Sequence, residues 1–334
     1  MNGTDPNAIE RPSPGVTATS KRLPEFFIVG HPKCGTTALY EMLMAHPQIY
    51  MPKSKEPWFF ATELLTRTPP RPTGTPQNLD EYRDWFDGAR PEQIVGEASA
   101  MYLWSQVAAQ NIAAARPDAK IIAFFREPAA FLRSLHMEWV QIYVETETDF
   151  RTALALEPER REGRAVGRHT YWPQAVLYSD YVRYVEQLDR YRAVFAPEQI
   201  LTLIYDDFRA DNEGTLKRVL EFLGVDDAVA LPRREANPTV KVRSRALHEL
   251  IHAVSVGHGP TSQAVKSAVK SVTSHRMRRR ALYLTQKRLV FTRPEEPEHE
   301  LMTELRRRYR DEVLALGEYL ERDLVSLWGY DKLD

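Results

Sequence analysis

Gly30-His31-Pro32-Lys33-Cys34-Gly35-Thr36-Thr37 crowds a lysine, a cysteine, two glycines and two threonines into eight residues. It follows a strand-length apolar run, Phe26 to Val29, and precedes helix-spaced apolar residues at Leu39, Leu43 and Met44. Strand, short loop and helix in that order turn backbone N–H groups and the positive end of the helix toward one point. An anion placed there gains hydrogen bonds and a favourable dipole. Gly30 and Gly35 have the G-x-x-x-x-G spacing of a nucleotide-triphosphatase loop, but Thr36-Thr37 stand where that motif needs Lys and then Ser or Thr. The lysine is Lys33, two residues before the second glycine, so the loop gives no reason to expect a magnesium-bound triphosphate.

A second anion site is legible further on. Lys120 to Phe125 is an apolar run of the kind found in a strand covered on both faces, and Arg126 stands at its carboxyl end. Glu127-Pro128 starts a helix, with Ser134 two turns along it. Arg126 and Ser134 can therefore converge on one anion.

Moving an activated group to a hydroxyl or amine also requires a base, and a carboxylate set against aromatic rings suits that role near neutral pH. Lys55-Glu56-Pro57-Trp58-Phe59-Phe60 places Glu56 in such a setting. Glu97, at the end of the run Gln93-Ile94-Val95-Gly96, is a second candidate for the base, or equally a structural carboxylate capping a neighbouring loop. His136, just past Ser134, is a third. Cys34 is the only cysteine, which rules out an intrachain disulfide, and it is read as a small residue filling the loop. No His/Asp/Glu set has metal spacing, so no metal site is assigned.

These motifs resemble those of sulfotransferases that use 3′-phosphoadenosine 5′-phosphosulfate (PAPS). His31 to Leu39 is similar to the family's 5′-phosphosulfate loop, P-K-[S/T/C]-G-T-T. Arg126 to Ser134 is similar to its second signature, R-[D/E/N]-P-x-x-x-x-x-S, which holds the 3′-phosphate. The resemblance covers residues 24–225 with good motifs. It implies that Lys33, Cys34, Gly35, Thr36 and Thr37 hold the 5′-phosphosulfate end, that Arg126 and Ser134 hold the 3′-phosphate, and that Lys33 neutralises charge on the leaving oxygen. The segment around Glu56 is similar to that of the carbohydrate (heparan-sulfate-like) branch, where a Glu before an aromatic-Phe-Phe stretch is the base. Cytosolic-type members use a His between the two phosphate motifs, and here only His46 lies there. Glu97, Ser99 and Tyr102 match the family's G-E-x-S-x-x-Y segment on the acceptor side, and the stretch from Tyr171 through Tyr178 walls the acceptor pocket. Trp58, Ser99, Tyr102 and Tyr178 are thus the implied acceptor-binding residues. Ala98 departs from the Lys of the heparan-sulfate enzymes, which argues against a strictly polyanionic glycan.

The implied reaction is sulfuryl transfer to a hydroxyl or amine of a small-molecule, sugar or lipid-linked acceptor by a bacterial enzyme, leaving adenosine 3′,5′-bisphosphate (PAP) and needing no metal. Two other classes compete: a P-loop-type nucleotide kinase or ATPase, and a non-catalytic binder of membrane surfaces. Magnesium-dependent ATP consumption marks the first, and salt-sensitive liposome binding without sulfate transfer marks the second.

The elements that must position these residues are four strands at about 25–30, 93–97, 120–126 and 199–205, alternating with helices. That pattern predicts an α/β fold with a mainly parallel central sheet and ligands at the strands' carboxyl ends. Residues 1–22, rich in Pro and Ser/Thr, read as a disordered leader, and 23–334 as one sulfotransferase domain. Asp149–Arg168 reads as a mobile charged surface, Ser179–Phe195, Asn212–Leu223 and Leu301–Leu320 as helices, and Asp206-Asp207 as a structural acidic pair. With 334 residues, 43% hydrophobic, 27% charged and net charge −1, the chain has ordinary globular composition and no general attraction to nucleic acid. No secretory signal or spanning run is visible, so a cytoplasmic protein is expected. From 241 to 293 twelve Lys/Arg face one acid, Glu249, a net of +11. This basic, helical segment could attract the donor, an acidic acceptor or an anionic membrane.

Overall fold

The computed structural model describes residues 22–64, 75–167, 170, 172–229, 241–242, 291–292, 296 and 298–333. All but one residue of the leader, the part of the Pro-rich loop at 65–74, Tyr171 and nearly all of the basic segment lie outside the described residues.

Five parallel strands form the central sheet: β1 (Phe26–Gly30), β2 (Ile49–Tyr50), β3 (Ile94–Ala98), β4 (Lys120–Phe125) and β5 (Ile200–Ile204), in the order β2-β3-β1-β4-β5. The two all-apolar runs take interior positions of the sheet, where both faces of a strand are covered: Phe26 to Val29 and Ile121 to Phe125 are all buried. From β1 the chain builds toward one edge, then crosses to start β4 on the other side. The β1/β4 boundary is therefore the switch point of the sheet, where the loops after the two strands diverge and leave a crevice.

Helix α1 (Thr36–Met44) follows β1 directly. Helices α2 (Leu79–Asp84) and α3 (Ala108–Ala115) flank β3 in the chain. Helix α4 (Pro128–Gln141) follows β4 with Pro128 in its first turn and Glu127 as cap, its carboxylate accepting from Ala129 N at 3.1 Å and Ala130 N at 2.7 Å. The predicted mobile surface at Asp149–Arg168 is instead two short helices, α5 (Phe150–Ala155) and α6 (Glu157–Arg161), because Arg160 is buried on Glu145 at 2.8 Å and so anchors the segment. The predicted helix from Ser179 starts as a 3-10 turn at Tyr178–Tyr181 and becomes α7 only at Tyr184–Arg192, after non-helical Arg183. Helix α8 (Tyr205–Ala210) continues from β5, and α9 (Asn212–Leu223) ends as predicted at Gly224, φ 77°.

Lys241–Val242 (β6) pairs antiparallel with Phe291–Thr292 (β7). The predicted helix at Leu301–Leu320 is two, α10 (His299–Arg308) and α11 (Arg310–Tyr319), broken where Tyr309 leaves helical geometry. Helix α12 (Leu324–Trp328), with Leu324 and Trp328 in the core, is followed by a 3-10 turn at Tyr330–Lys332. No described helix is long and apolar enough to cross a membrane.

Candidate active site

The loop after β1 is shaped by close approach. A Cβ on Gly30 (φ 148°) would stand 2.6 Å from the Ala100 carbonyl oxygen, and one on Gly35 (φ 97°) 2.8 Å from Phe208 Cδ1. Lys33 is also left-handed, φ 62°. No side chain caps α1 and its first turn has no acidic residue, so the first N–H groups of the helix are left for a ligand. That uncapped helix start at Gly35, Thr36 and Thr37 is the observation that fits a phosphosulfate end. Cys34 lies wholly beneath the loop, and burial pushes its thiol up to about 12, so its side chain is a neutral filler.

The second loop sits against the first. The Arg126 guanidinium donates to the Lys33 carbonyl oxygen at 3.0 Å and lies 4.5 Å over the Tyr205 ring, while the Tyr184 hydroxyl holds the Arg126 carbonyl at 3.0 Å. Ser134 is buried on α4 behind it. One turn further along the same helix face, Glu138 pairs with Lys33, Nζ to Oε2 at 2.9 Å. Sequence reading passed over Glu138; its i+4 spacing from Ser134 was the available signal.

The base segment is held from the acceptor side. Glu56 and Trp58 both have positive φ, 64° and 50°, a strained pair of the kind that clusters at functional sites. Glu56 N donates to the Ala98 carbonyl at 2.9 Å. The carboxylate Oε2 accepts from Trp58 Nε1 at 3.0 Å and Ala100 N at 2.9 Å, which fixes its plane and turns Oε1 to the Lys55 ammonium at 3.1 Å. Lys55 Nζ in turn donates to Thr37 Oγ1 at 2.9 Å. The base candidate and the donor loop are thus joined through one lysine, a residue the sequence reading named only in passing.

Glu97 is placed differently. It is fully buried, its Oε2 accepting from the Tyr82 hydroxyl at 2.8 Å and the Tyr102 hydroxyl at 2.9 Å, while Oε1 has no hydrogen-bond partner. Desolvation pushes its carboxyl up to about 7. Tyr102 also receives Phe60 N at 3.2 Å, and Ser99 Oγ receives Trp58 N at 3.2 Å. Ser99 and Tyr102 are buried, so rather than lining open surface they hold the 56–60 segment from behind. Trp58 itself is half-buried, edge-on to Trp172 with ring centroids 4.7 Å apart.

Tyr178 does not wall a pocket: it is fully buried, donating to Glu145 Oε2 at 3.0 Å beside Arg160. His136, His46 and His31 each have at least one ring nitrogen engaged. His136 Nε2 donates to the Glu147 carbonyl at 2.9 Å, and burial lowers its pKa. His46 Nε2 donates to the Asp226 carbonyl at 2.8 Å. His31, buried on Gln187 at 2.6 Å, is pushed down to about 3 by desolvation. Asp206 and Asp207 are taken up by the C-terminal segment, accepting from Trp328 and Arg322.

The family model described as "Sulfotransferase domain" matches residues 23–241. A crystal structure of a sulfotransferase from Alicyclobacillus acidocaldarius is 32% identical, covers 70% of this chain and 91% of that one, and superposes with a TM-score of 0.57. Carbohydrate sulfotransferase 15 of Mus musculus is 26% identical over 61% of this chain and 44% of its own length. Heparan sulfate glucosamine 3-O-sulfotransferase 3B1 of the same species is 28% identical over 66% and 52%. The chain therefore spans about half the length of the curated relatives it matches. With a family match over most of its length, the parallel sheet and the two loops at its switch point, the chain belongs to the sulfotransferase domain family.

Proposed function

We propose that the chain moves the sulfuryl group of PAPS to a hydroxyl or amine of a small-molecule, sugar or lipid-linked acceptor. The observation that carries this reading is the 3.0 Å bond from Arg126 to the Lys33 carbonyl. It holds the two candidate anion-binding loops, on adjacent strands, side by side, which supports the binding of a nucleotide with separate 5′ and 3′ anionic groups. The Gly35–Thr37 amides would receive the 5′-phosphosulfate, and Arg126 with Ser134 the 3′-phosphate. Glu56 Oε1 takes the proton of the acceptor as its oxygen or nitrogen bonds to sulfur. The bond from sulfur to the bridging oxygen breaks, and the Lys33 ammonium offsets the charge left on that oxygen. For Lys33 to do so it must exchange Glu138 for the donor. The basic stretch 241–293 would favour an anionic acceptor or membrane surface.

Incubation with 35S-labelled PAPS and an extract of the producing cell, followed by identification of the labelled product, tests the reading. A labelled acceptor is the expected result. Calorimetry showing no affinity for PAP would overturn it.

A further inference from the structure

Three carboxylates crowd the residues that frame the second anion loop, and each is held by side chains of the segment 298–333. Glu127 directly follows Arg126; its Oε1 accepts from the Tyr330 hydroxyl at 2.7 Å and lies 3.6 Å from Arg306 Nε. Tyr205, under the Arg126 guanidinium, is followed by Asp206 and Asp207. Trp328 Nε1 donates to Asp206 Oδ2 at 2.9 Å, and the two terminal Arg322 nitrogens donate to Asp207, Nη1 to Oδ2 and Nη2 to Oδ1, the latter at 2.6 Å. Tyr330, Trp328 and Glu127 are buried, so the Tyr330 and Trp328 bonds are shielded from water, while the Arg322–Asp207 pair is part-exposed. The three donors Tyr330, Trp328 and Arg322, and the ion-pairing Arg306, all lie beyond residue 241, where the family match ends.

We propose that the segment 298–333 is part of the donor site, and that Tyr330, Trp328 and Arg322 are positioning residues that set its selectivity for a 3′-phosphorylated nucleotide. This rests on the reading of Arg126 as the 3′-phosphate ligand. Two physical effects act together. Hydrogen bonds to Glu127 and Asp206 hold the residue that follows Arg126 and the one that follows Tyr205, whose ring lies beneath the guanidinium, so the guanidinium is pre-aimed and little ordering remains to be done on binding. Arg306 and Arg322 offset the charge of carboxylates that would otherwise repel an incoming phosphate. Glu127 adds a third link: the same carboxylate caps α4, the helix that carries Ser134, so one C-terminal tyrosine steadies both ligands.

The test compares PAP with adenosine 5′-monophosphate by calorimetry on the full chain, in the wild type and in Tyr330→Phe, Trp328→Phe and Arg322→Gln. The two Phe variants keep an aromatic ring in the core and remove the donor, and thermal melts establish that each variant is folded. The wild type is expected to prefer PAP. Each variant is expected to lose about fivefold in PAP affinity, the worth of one ordinary hydrogen bond, because the lost bond acts on the ligand only through Arg126. The monophosphate, which lacks the 3′ group, should change less than twofold. A merely structural role would weaken both ligands alike, and that outcome, or unchanged PAP affinity, overturns the proposal. A wild type that binds neither nucleotide overturns the donor assignment itself and this proposal with it.

Discussion

Lys33, Lys55, Glu56 and Glu138 form two ion pairs, one on each side of the donor loop. All four side chains are part-exposed, so the pairs are screened and contribute little to stability; their value is in aim. Lys33 is parked on Glu138, on the α4 side, whereas Lys55 ties Thr37 to Glu56. If Lys33 neutralises the leaving oxygen and Glu56 is the base, Lys33→Ala and Glu56→Gln should each lower kcat by about a thousandfold. Glu56→Gln should leave PAP affinity within about twofold, because the acceptor and not the nucleotide faces that oxygen. A labelled-sulfate assay and PAP calorimetry read the two effects, and an active Glu56→Gln enzyme rejects the base assignment. Lys55→Met separates the two sides of the site. It removes the contact that sets Oε1, so kcat should fall by about tenfold or more with a small change in the KM for PAPS, and Lys55→Arg should recover part of the loss by restoring a donor.

The loop after β1 works only because its neighbours leave no room for a side chain. Gly35→Ala would set a Cβ 2.8 Å from Phe208 at a φ that favours glycine, at a cost of about 1–3 kcal/mol and with the amides of α1 turned from the ligand. Urea unfolding should show the loss of stability, and PAP calorimetry a larger loss of affinity than stability alone explains. What was legible in the sequence is what depends on local order. The apolar runs of β1 and β4, the Gly-Lys-Gly-Thr-Thr loop, the Arg-Glu-Pro helix start and Gly224 at the end of α9 carry their own signals. What depends on distant partners was not legible. The two-residue β2 has no periodicity, the positive φ of Glu56 and Trp58 is imposed by Ala98 and Ser99, and the α5–α6 segment looked mobile because its anchor, Glu145, precedes it by 15 residues at Arg160. Tyr178 was assigned to the acceptor side by its place in a motif, while the structure spends its hydroxyl on Glu145.

Across the whole molecule, the buried ionisable groups make stability depend on pH in two opposed ways. The Glu97 carboxyl is raised from its ordinary 4.5 to about 7 by burial, so its contribution is fully present below pH 4.5 and is lost as pH rises through 7. His31, lowered from 6.5 to about 3, contributes above pH 6.5 and loses that contribution as pH falls through 3. Between 4.5 and 6.5 the two slopes oppose each other, and from 6.5 to 7 Glu97 acts alone. A Gln at position 97 keeps an oxygen for Tyr82 and Tyr102 and never ionises, so the difference in unfolding free energy between wild type and Glu97→Gln isolates this one group. That difference should move against the wild type by up to about 3 kcal/mol from pH 4.5 to 8, at about 1.4 kcal/mol per unit. Urea titrations at unit pH intervals measure it, and a flat difference means that Glu97 does not titrate in this range. The same variant decides between the two carboxylates as base. Glu97 supports the 56–60 segment through Tyr82 and Tyr102, which it bonds and which meet Phe59 and Phe60, so Glu97→Gln should keep kcat within about tenfold at pH 7 and lose less activity than the wild type as pH rises to 8. A variant as inactive as Glu56→Gln would make Glu97 the proton acceptor and Glu56 its neighbour.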